Sequence, residues 1–379
     1  MKFDFKLQHH AETARAAQLT IGRQTLETPS LIMPAPALTV HDLAPAEVKR
    51  SQIKGLSIDE SIISQNPGTE TVRDLGGLHR FMAWDGLVIA KPGDFRHLPL
   101  VKKNHLTKDG VRFHDVKTGA VRLMTPQTVI ESQTELQPDI NPRIVRKRCD
   151  SDQPDIMLML SQTPSYYAPY DYVEKAVAIN SAWAAAAIQK LTADSPALFG
   201  VMQGAGFAQL RKQSIEALAK MDFSGYVIGG LSDIDNDKEF DRVLKLSVDL
   251  LPADKARMVV DIQSSAQLVS ALKNGIDLIE TSLPTHWGRY GKALTAQGLL
   301  PIKKARFAAD PQPLAEDCHC PVCEQYSRAY LRHLLHMDNS VGPRLISQHN
   351  LWYLRQLVSQ ARLAIMHDQP ITAIFENLI

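Results

Sequence analysis

The cysteines of the run Cys318-His319-Cys320-Pro321-Val322-Cys323 stand 26 residues ahead of His349. Three thiols packed into six residues cannot all aim at one ion from a regular helix or strand. A turn can aim them, and Pro321 helps to fix one. An imidazole from a later element completes a Cys3His set, the tetrahedral composition of a structural zinc site with no open coordination position. The alternative is a set of buried thiols beside a core histidine. Between the ligands, the apolar positions of Glu324–Leu335 recur at helical spacing. The unit therefore reads as turn, helix, turn, and a second helix that opens near Ser347 and presents His349.

A second group of reactive types sits at the ends of short apolar, β-rich runs. Gln203 can both donate and accept, which suits the edge of a nucleobase. Gly229-Gly230 lets a planar group come close to the backbone and leaves an N–H to bond it. Glu280 is a lone carboxylate after the last run. Such a group can attack a sugar C1′ and hold a covalent glycosyl intermediate, if a second acid/base manages the leaving base. Each has a plainer reading, since rim glycines also make turns and rim acids also form ion pairs.

The elements that would position these groups alternate between strand and helix. Candidate strands are 28–36, 55–64, 86–93, 154–160, 197–204, 225–231, 257–263 and 277–284. Candidate helices are 170–191, 208–221, 238–251 and 264–274. Runs such as Met258-Val259-Val260 are apolar on both faces, as a doubly covered parallel sheet requires. Eight strands predict a (β/α)8 TIM barrel over 1–300 with a zinc-binding helical subdomain over 301–379. In such a barrel the working residues lie at the C-terminal strand ends. Two insertions interrupt the pattern. Gly110–His114 and Gly119–Leu123 alternate and read as a hairpin. The basic run Arg143–Arg148 reads as an exposed loop or a phosphate-contact patch.

Net charge is +1, so any nucleic-acid surface must be local. Only Cys149 lies outside the cysteine cluster, which points to a reducing, cytoplasmic setting rather than a disulfide framework. No run approaches the roughly 20 apolar residues of a membrane span, and Met1–Lys6 does not read as a signal peptide.

Taken together the chain resembles the tRNA-guanine transglycosylase (queuine tRNA-ribosyltransferase) family over nearly its whole length. The resemblance rests on Leu78–Gly86, Leu198–Gly204, Gly225–Leu231, Pro284-Thr285, the Cys-X-Cys-X-X-Cys segment, Tyr326–Leu331 and His349-Asn350-Leu351. It implies a zinc-bearing TIM barrel that swaps a guanine of tRNA for a 7-deazaguanine through a covalent ribosyl-enzyme intermediate. It also implies a dimer built in part through the zinc subdomain. Cys318, Cys320, Cys323 and His349 match the family's ligands, and Gln203 and Gly230 match its base-binding residues.

Other positions depart from the pattern. Where the family has Asp-Ser-Gly-Gly-Phe-Gln, this chain has Lys91-Pro92-Gly93-Asp94-Phe95-Arg96. A catalytic aspartate is thereby Lys91, and a base-contacting glutamine is Arg96. The base-reading aspartate aligns with Ser161 and the nucleophilic aspartate with Glu280. Two tRNA-contacting arginines fall at His286 and Arg289. A nucleophile displaced by about 1.5 Å is costly, since misplacement near 1 Å costs on the order of 10²-fold. A missing general acid/base costs roughly a further 10²–10⁴-fold.

Three readings follow. The first is a tRNA-binding member with weakened or lost exchange, paired with itself or with an active copy, as the family's eukaryotic accessory subunit would suggest by its own glutamate. The second is an active enzyme for another base, with Glu280 as nucleophile and Asp94 or Asp261 as acid/base. The third is a dimerising module without RNA binding.

Overall fold

The computed structural model describes residues 3–22, 24–93, 100–101, 106–115, 118–136 and 154–378. The expectations placed on Asp94, Arg96 and the basic run 143–148 lie outside them. An antiparallel sheet opens the chain, with strands β1 (Phe3–Ala11), β2 (Ala14–Ile21) and β3 (Gln24–Thr28) in sequence order. Sequence reading missed it, although Phe3, Phe5 and Leu7 alternate with Asp4, Lys6 and Gln8 before the pattern ends at His9-His10.

The barrel follows with β4 (Ser30–Pro34), β5 (Gly55–Asp59) and β6 (Leu87–Lys91). An antiparallel excursion of β7 (Leu106–Thr107), β8 (Gly110–His114) and β9 (Val121–Met124) interrupts it, and β8–β9 is the expected hairpin. The barrel resumes with β10 (Ile156–Leu158), β11 (Ala197–Met202), β12 (Gly225–Ile228), β13 (Ala256–Ile262) and β14 (Leu278–Thr281). All eight strands close in parallel, with β14 against β4. Nearly every barrel-strand residue is buried, which explains the apolar runs without alternation.

Thirteen described α-helices complete the chain. Those after β4 and β5 are short: α1 (Pro45–Arg50), α2 (Glu60–Gln65), α3 (Thr69–Asp74) and α4 (Leu78–Met82). Longer ones follow: α5 (Pro126–Glu135), α6 (Tyr170–Ile188), α7 (Ala208–Leu218), α8 (Asp237–Leu250) and α9 (Ser265–Lys273). Next come α10 (Leu283–Arg289) and the hairpin β15 (Lys292–Thr295) and β16 (Gly298–Pro301). The metal segment then supplies α11 (Pro321–Gln325), α12 (Arg328–His336) and the long α13 (Val341–Met366).

Two boundaries differ from expectation. The strand expected over 55–64 ends at Asp59, and Glu60 opens α2 instead. The helix expected to open near Ser347 begins at Val341, because Pro343 falls in its first turn, where a missing N–H costs nothing. Among the described residues no helix is long and apolar enough to cross a membrane.

Arg15 joins the opening sheet to the barrel floor. Its guanidinium meets buried Asp277 and donates to the carbonyls of Ala253 and Lys255 at 2.8 Å each. Asp277 also accepts from the Arg257 N–H at 2.7 Å and the Thr28 hydroxyl at 3.1 Å. Burial pushes the Asp277 pKa up despite these partners, so removing Arg15 would leave a buried charge uncompensated.

Glu60 is the less settled buried acid. Burial pushes its pKa up to about 7, although Ser132 and Ser64 hydrogen-bond the carboxyl and oppose the rise. A folded pKa above the unfolded one makes the neutral form the stabilising one. That stability is present below about 4.5 and is lost as the pH climbs through 7. Glu60→Gln should therefore gain on the wild type as pH rises from 5 to 8, by on the order of 3 kcal/mol. Melting curves of the two proteins across that range check this, and parallel curves would refute it.

Candidate active site and metal centre

Closing the barrel brings distant residues to its C-terminal mouth. Asp59 and Lys91 end adjacent strands in register, and Glu280 lies on β14, three strands round from β6. Lys91 spans the mouth, with Nζ 2.9 Å from Glu280 Oε1 and 3.5 Å from Asp59 Oδ1. The lysine side chain is 23% exposed and the two carboxylates only 5% and 8%. Burial alone would push the ammonium pKa down, but Glu280 and Asp59 outweigh it and hold it above its ordinary value. The group stays charged at any working pH. Glu280 Oε2 is buried and has no hydrogen-bond partner among the described residues.

Across the same rim lies a second cluster. Gln203 Nε2 donates to Ser161 Oγ at 3.1 Å and to Thr163 Oγ1 at 2.9 Å. Loop 161–163 is itself clamped. Asn180 on α6 accepts from the Gln162 N–H at 2.7 Å and donates to its carbonyl at 2.8 Å. The planar group that comes close to Gly229 is Gln203's own amide, since a Cβ there would lie 2.5 Å from its Nε2. Gly230 adopts φ +71°, a conformation glycine reaches without strain. Its N–H has no protein acceptor among the described residues, and the buried Gln203 Oε1 has no donor. An unpaired donor and acceptor side by side mark a place where a polar, planar edge can bind.

Beneath this loop Arg211 is fully buried with no acidic partner among the described residues. It donates to the Ala205 carbonyl at 2.7 Å and the Gly229 carbonyl at 3.2 Å, and burial pulls its pKa down to about 9. Asp261 sits at the end of β13 with φ +60°, accepting from Gln263 Nε2 at 3.3 Å. His286 and Arg289 both lie exposed on α10, directly after the Glu280 strand. Arg289 faces His41 at 3.0 Å, and His286 packs against Tyr290. Burial and the charges of Arg289 and Lys292 hold the His286 pKa below its ordinary value, so its ring is neutral at pH 7.

The metal set assembles as its spacing predicts. The sulfurs of Cys318, Cys320 and Cys323 lie 3.6, 3.5 and 3.3 Å from His349 Nδ1. Tetrahedral zinc, with its usual Zn–S and Zn–N bonds, would place sulfur and nitrogen about 3.6 Å apart. His349 Nε2 lies 2.7 Å from the Leu294 carbonyl, which can only accept. The proton therefore sits on Nε2, and the Nδ1 lone pair faces the sulfurs as a ligand must. Cys320 caps α11, and the four donor atoms lie within 4.8 Å of one another. These residues fit a metal ion that closes the subdomain and leaves no position for substrate.

The model of the queuine tRNA-ribosyltransferase family matches residues 10–144 and 149–374. The chain belongs to that family. A queuine tRNA-ribosyltransferase of Streptococcus pneumoniae (strain P1031) is 35% identical over 356 residues, covering 94% of this chain and 90% of the relative. Another, of Streptococcus agalactiae serotype Ia, is 34% identical over 369 residues, 97% of this chain and 93% of its own.

For this family member, sequence reading placed Thr163 with Ser161 and Gln162 at a strand end but missed Asp59, Asn180 and Arg211. Asp59 was hidden because the strand was expected to run five residues further. The other two work from helices beneath the rim and leave no local signal.

Two outcomes test the geometry. Replacing Lys91 with Met strands two buried carboxylates and should cost about 3 kcal/mol at pH 8. Denaturant titrations of the two proteins at pH 8 measure it, and equal midpoints would refute it. Metal analysis should find one zinc per chain, lost together with several degrees of melting temperature in Cys320→Ser.

Proposed function

We propose that this chain engages tRNA through the family scaffold but exchanges guanine poorly or not at all on its own, and serves as partner to an active copy. The observation that carries the proposal is the 2.9 Å contact between Lys91 and Glu280. For a carboxylate to attack C1′, its charge must be consumed in the new ester bond. The attraction to Lys91 is present before attack and lost as the bond forms, so it stabilises the ground state and raises the barrier. A pair of this kind is worth about 4 kcal/mol near a protein surface, which translates to roughly 10²–10³-fold in rate. Glutamate also places its oxygens one methylene further than the aspartate of the family pattern.

The tRNA-facing part of the proposal rests on what is retained. His286 and Arg289 lie exposed beside the mouth, and Arg289 offers a permanent cation to phosphate. The zinc subdomain would be the route to a dimer, with itself or with an active member.

An observation favours a second reading. Glu280 Oε2, Gln203 Oε1 and the Gly230 N–H are all without hydrogen-bond partners among the described residues. A pocket with these groups open could still exchange another base through Glu280, with Asp94 or Asp261 as acid/base.

Incorporation of radiolabelled guanine into tRNA, run with this protein alone and mixed with an active family member, tests the proposal. Alone it should fall at least about 10²-fold below the active enzyme. An ordinary rate alone would overturn it. Binding of tRNA should weaken as salt rises. Absence of any salt-dependent binding would leave only a dimerising module.

A further inference from the structure

Arg211, in the first turn of α7, is a fully buried cation that the chemistry proposed for the mouth leaves unused. Its guanidinium is spent on two rim carbonyls, Nε on Ala205 at 2.7 Å and Nη2 on Gly229 at 3.2 Å. One turn further along α7, Ser214 Oγ accepts from the Gln203 backbone N–H at 3.1 Å. The helix therefore underlies both groups that stand open at the rim, the Gln203 side-chain amide and the Gly229–Gly230 peptide.

The Gly229 carbonyl and the Gly230 N–H belong to one peptide unit. In a trans peptide they point in opposite directions. With the carbonyl drawn onto Arg211, the N–H is turned away from the buried guanidinium, and it has no acceptor among the described residues. The glycines themselves do not enforce that orientation. Gly230 sits at φ +71°, and without a Cβ it reaches negative φ as readily. Turning the peptide over would present a carbonyl oxygen where the N–H now stands. Arg211 opposes that exchange, because it would set an N–H against the guanidinium and leave a buried donor unbonded. A charged donor on the carbonyl also polarises the peptide and strengthens the N–H on its far side.

We propose that Arg211 is the positioning residue that decides which base edge the mouth accepts. That edge is a cyclic amide, a ring carbonyl beside a ring N–H, in place of an exocyclic amine beside a bare ring nitrogen. The Gly230 N–H donates to the carbonyl, and the unbonded Gln203 Oε1 accepts from the ring N–H. The two groups are close neighbours, since a Cβ on Gly230 would lie 3.0 Å from that oxygen. The inference rests on the family reading of the mouth as a base pocket, and is independent of whether exchange is retained.

Equilibrium dialysis of the full-length protein against radiolabelled guanine and 2,6-diaminopurine, which differ at that edge alone, tests the role. The wild type should bind guanine at least about tenfold more tightly. Arg211→Met removes both donors. Arg211→Lys keeps the charge, but its shorter reach serves Ala205 and gives up Gly229. In both variants the preference should fall to about twofold or less, chiefly through weaker guanine binding. A merely structural loosening would weaken both bases alike and leave their ratio unchanged. If Arg211→Met fails to fold, Arg211→Lys decides. In wild-type protein carrying 15N-glycine, the Gly230 amide proton should move downfield with guanine and stay in place with diaminopurine. A preference that survives in Arg211→Lys, or a Gly230 proton that ignores guanine, would overturn the proposal and leave the base pocket standing. Uptake of neither base would overturn both.

Discussion

A cation pinned between two acids governs the mouth of this barrel. Lys91 reaches from β6 past Asp59 on β5 to Glu280 on β14, and the three side chains are nearly removed from water. At low dielectric none of them could stand there alone. Two carboxylates that close would repel each other. An isolated ammonium would lose its proton. Together they pair through the Lys91 ammonium, while Glu280 Oε2 keeps no hydrogen-bond partner among the described residues. On the proposal above, the same interaction that holds the mouth together would disfavour the reaction.

The metal segment is tied to that mouth through a short chain of contacts. His349 faces the three sulfurs, and the next residue, Asn350, accepts from the Leu294 N–H at 2.7 Å. Its amide donates to the Lys292 carbonyl at 2.9 Å and to the Pro284 carbonyl at 3.0 Å. Pro284 lies in α10, four residues after Glu280. Close packing reinforces the link, since a Cβ on Gly288 would fall 2.1 Å from Ser347 Oγ. Zinc at this centre would do no chemistry. It would fix α13, and α13 in turn fixes the helix that follows the Glu280 strand.

Much of this was legible in the residues alone. The cysteine spacing announced the metal set because the ligands sit in one local turn plus one helix. The eight strands were readable because burial on both faces leaves continuous apolar runs. What stayed hidden depends on closure. Lys91 and Glu280 are 189 positions apart, and only the ring of strands brings them into contact. The part of Asp59 stayed hidden as well, because its strand was drawn past its true end. The close approach allowed by Gly229 was foreseen, whereas its occupant, the amide of Gln203, follows from the packing of β11 against β12. Arg211 and Asn180 act through the backbone of loops they underlie, so residue type gives no hint of their place.

The account turns on whether Glu280 can still form a bond to ribose. Incubation with a guanine-containing anticodon stem-loop RNA, followed by a denaturing gel, measures that bond directly. If Lys91 holds the carboxylate as described, no slower-migrating protein–RNA band forms. A band that appears with the wild type and vanishes in Glu280→Gln would contradict it.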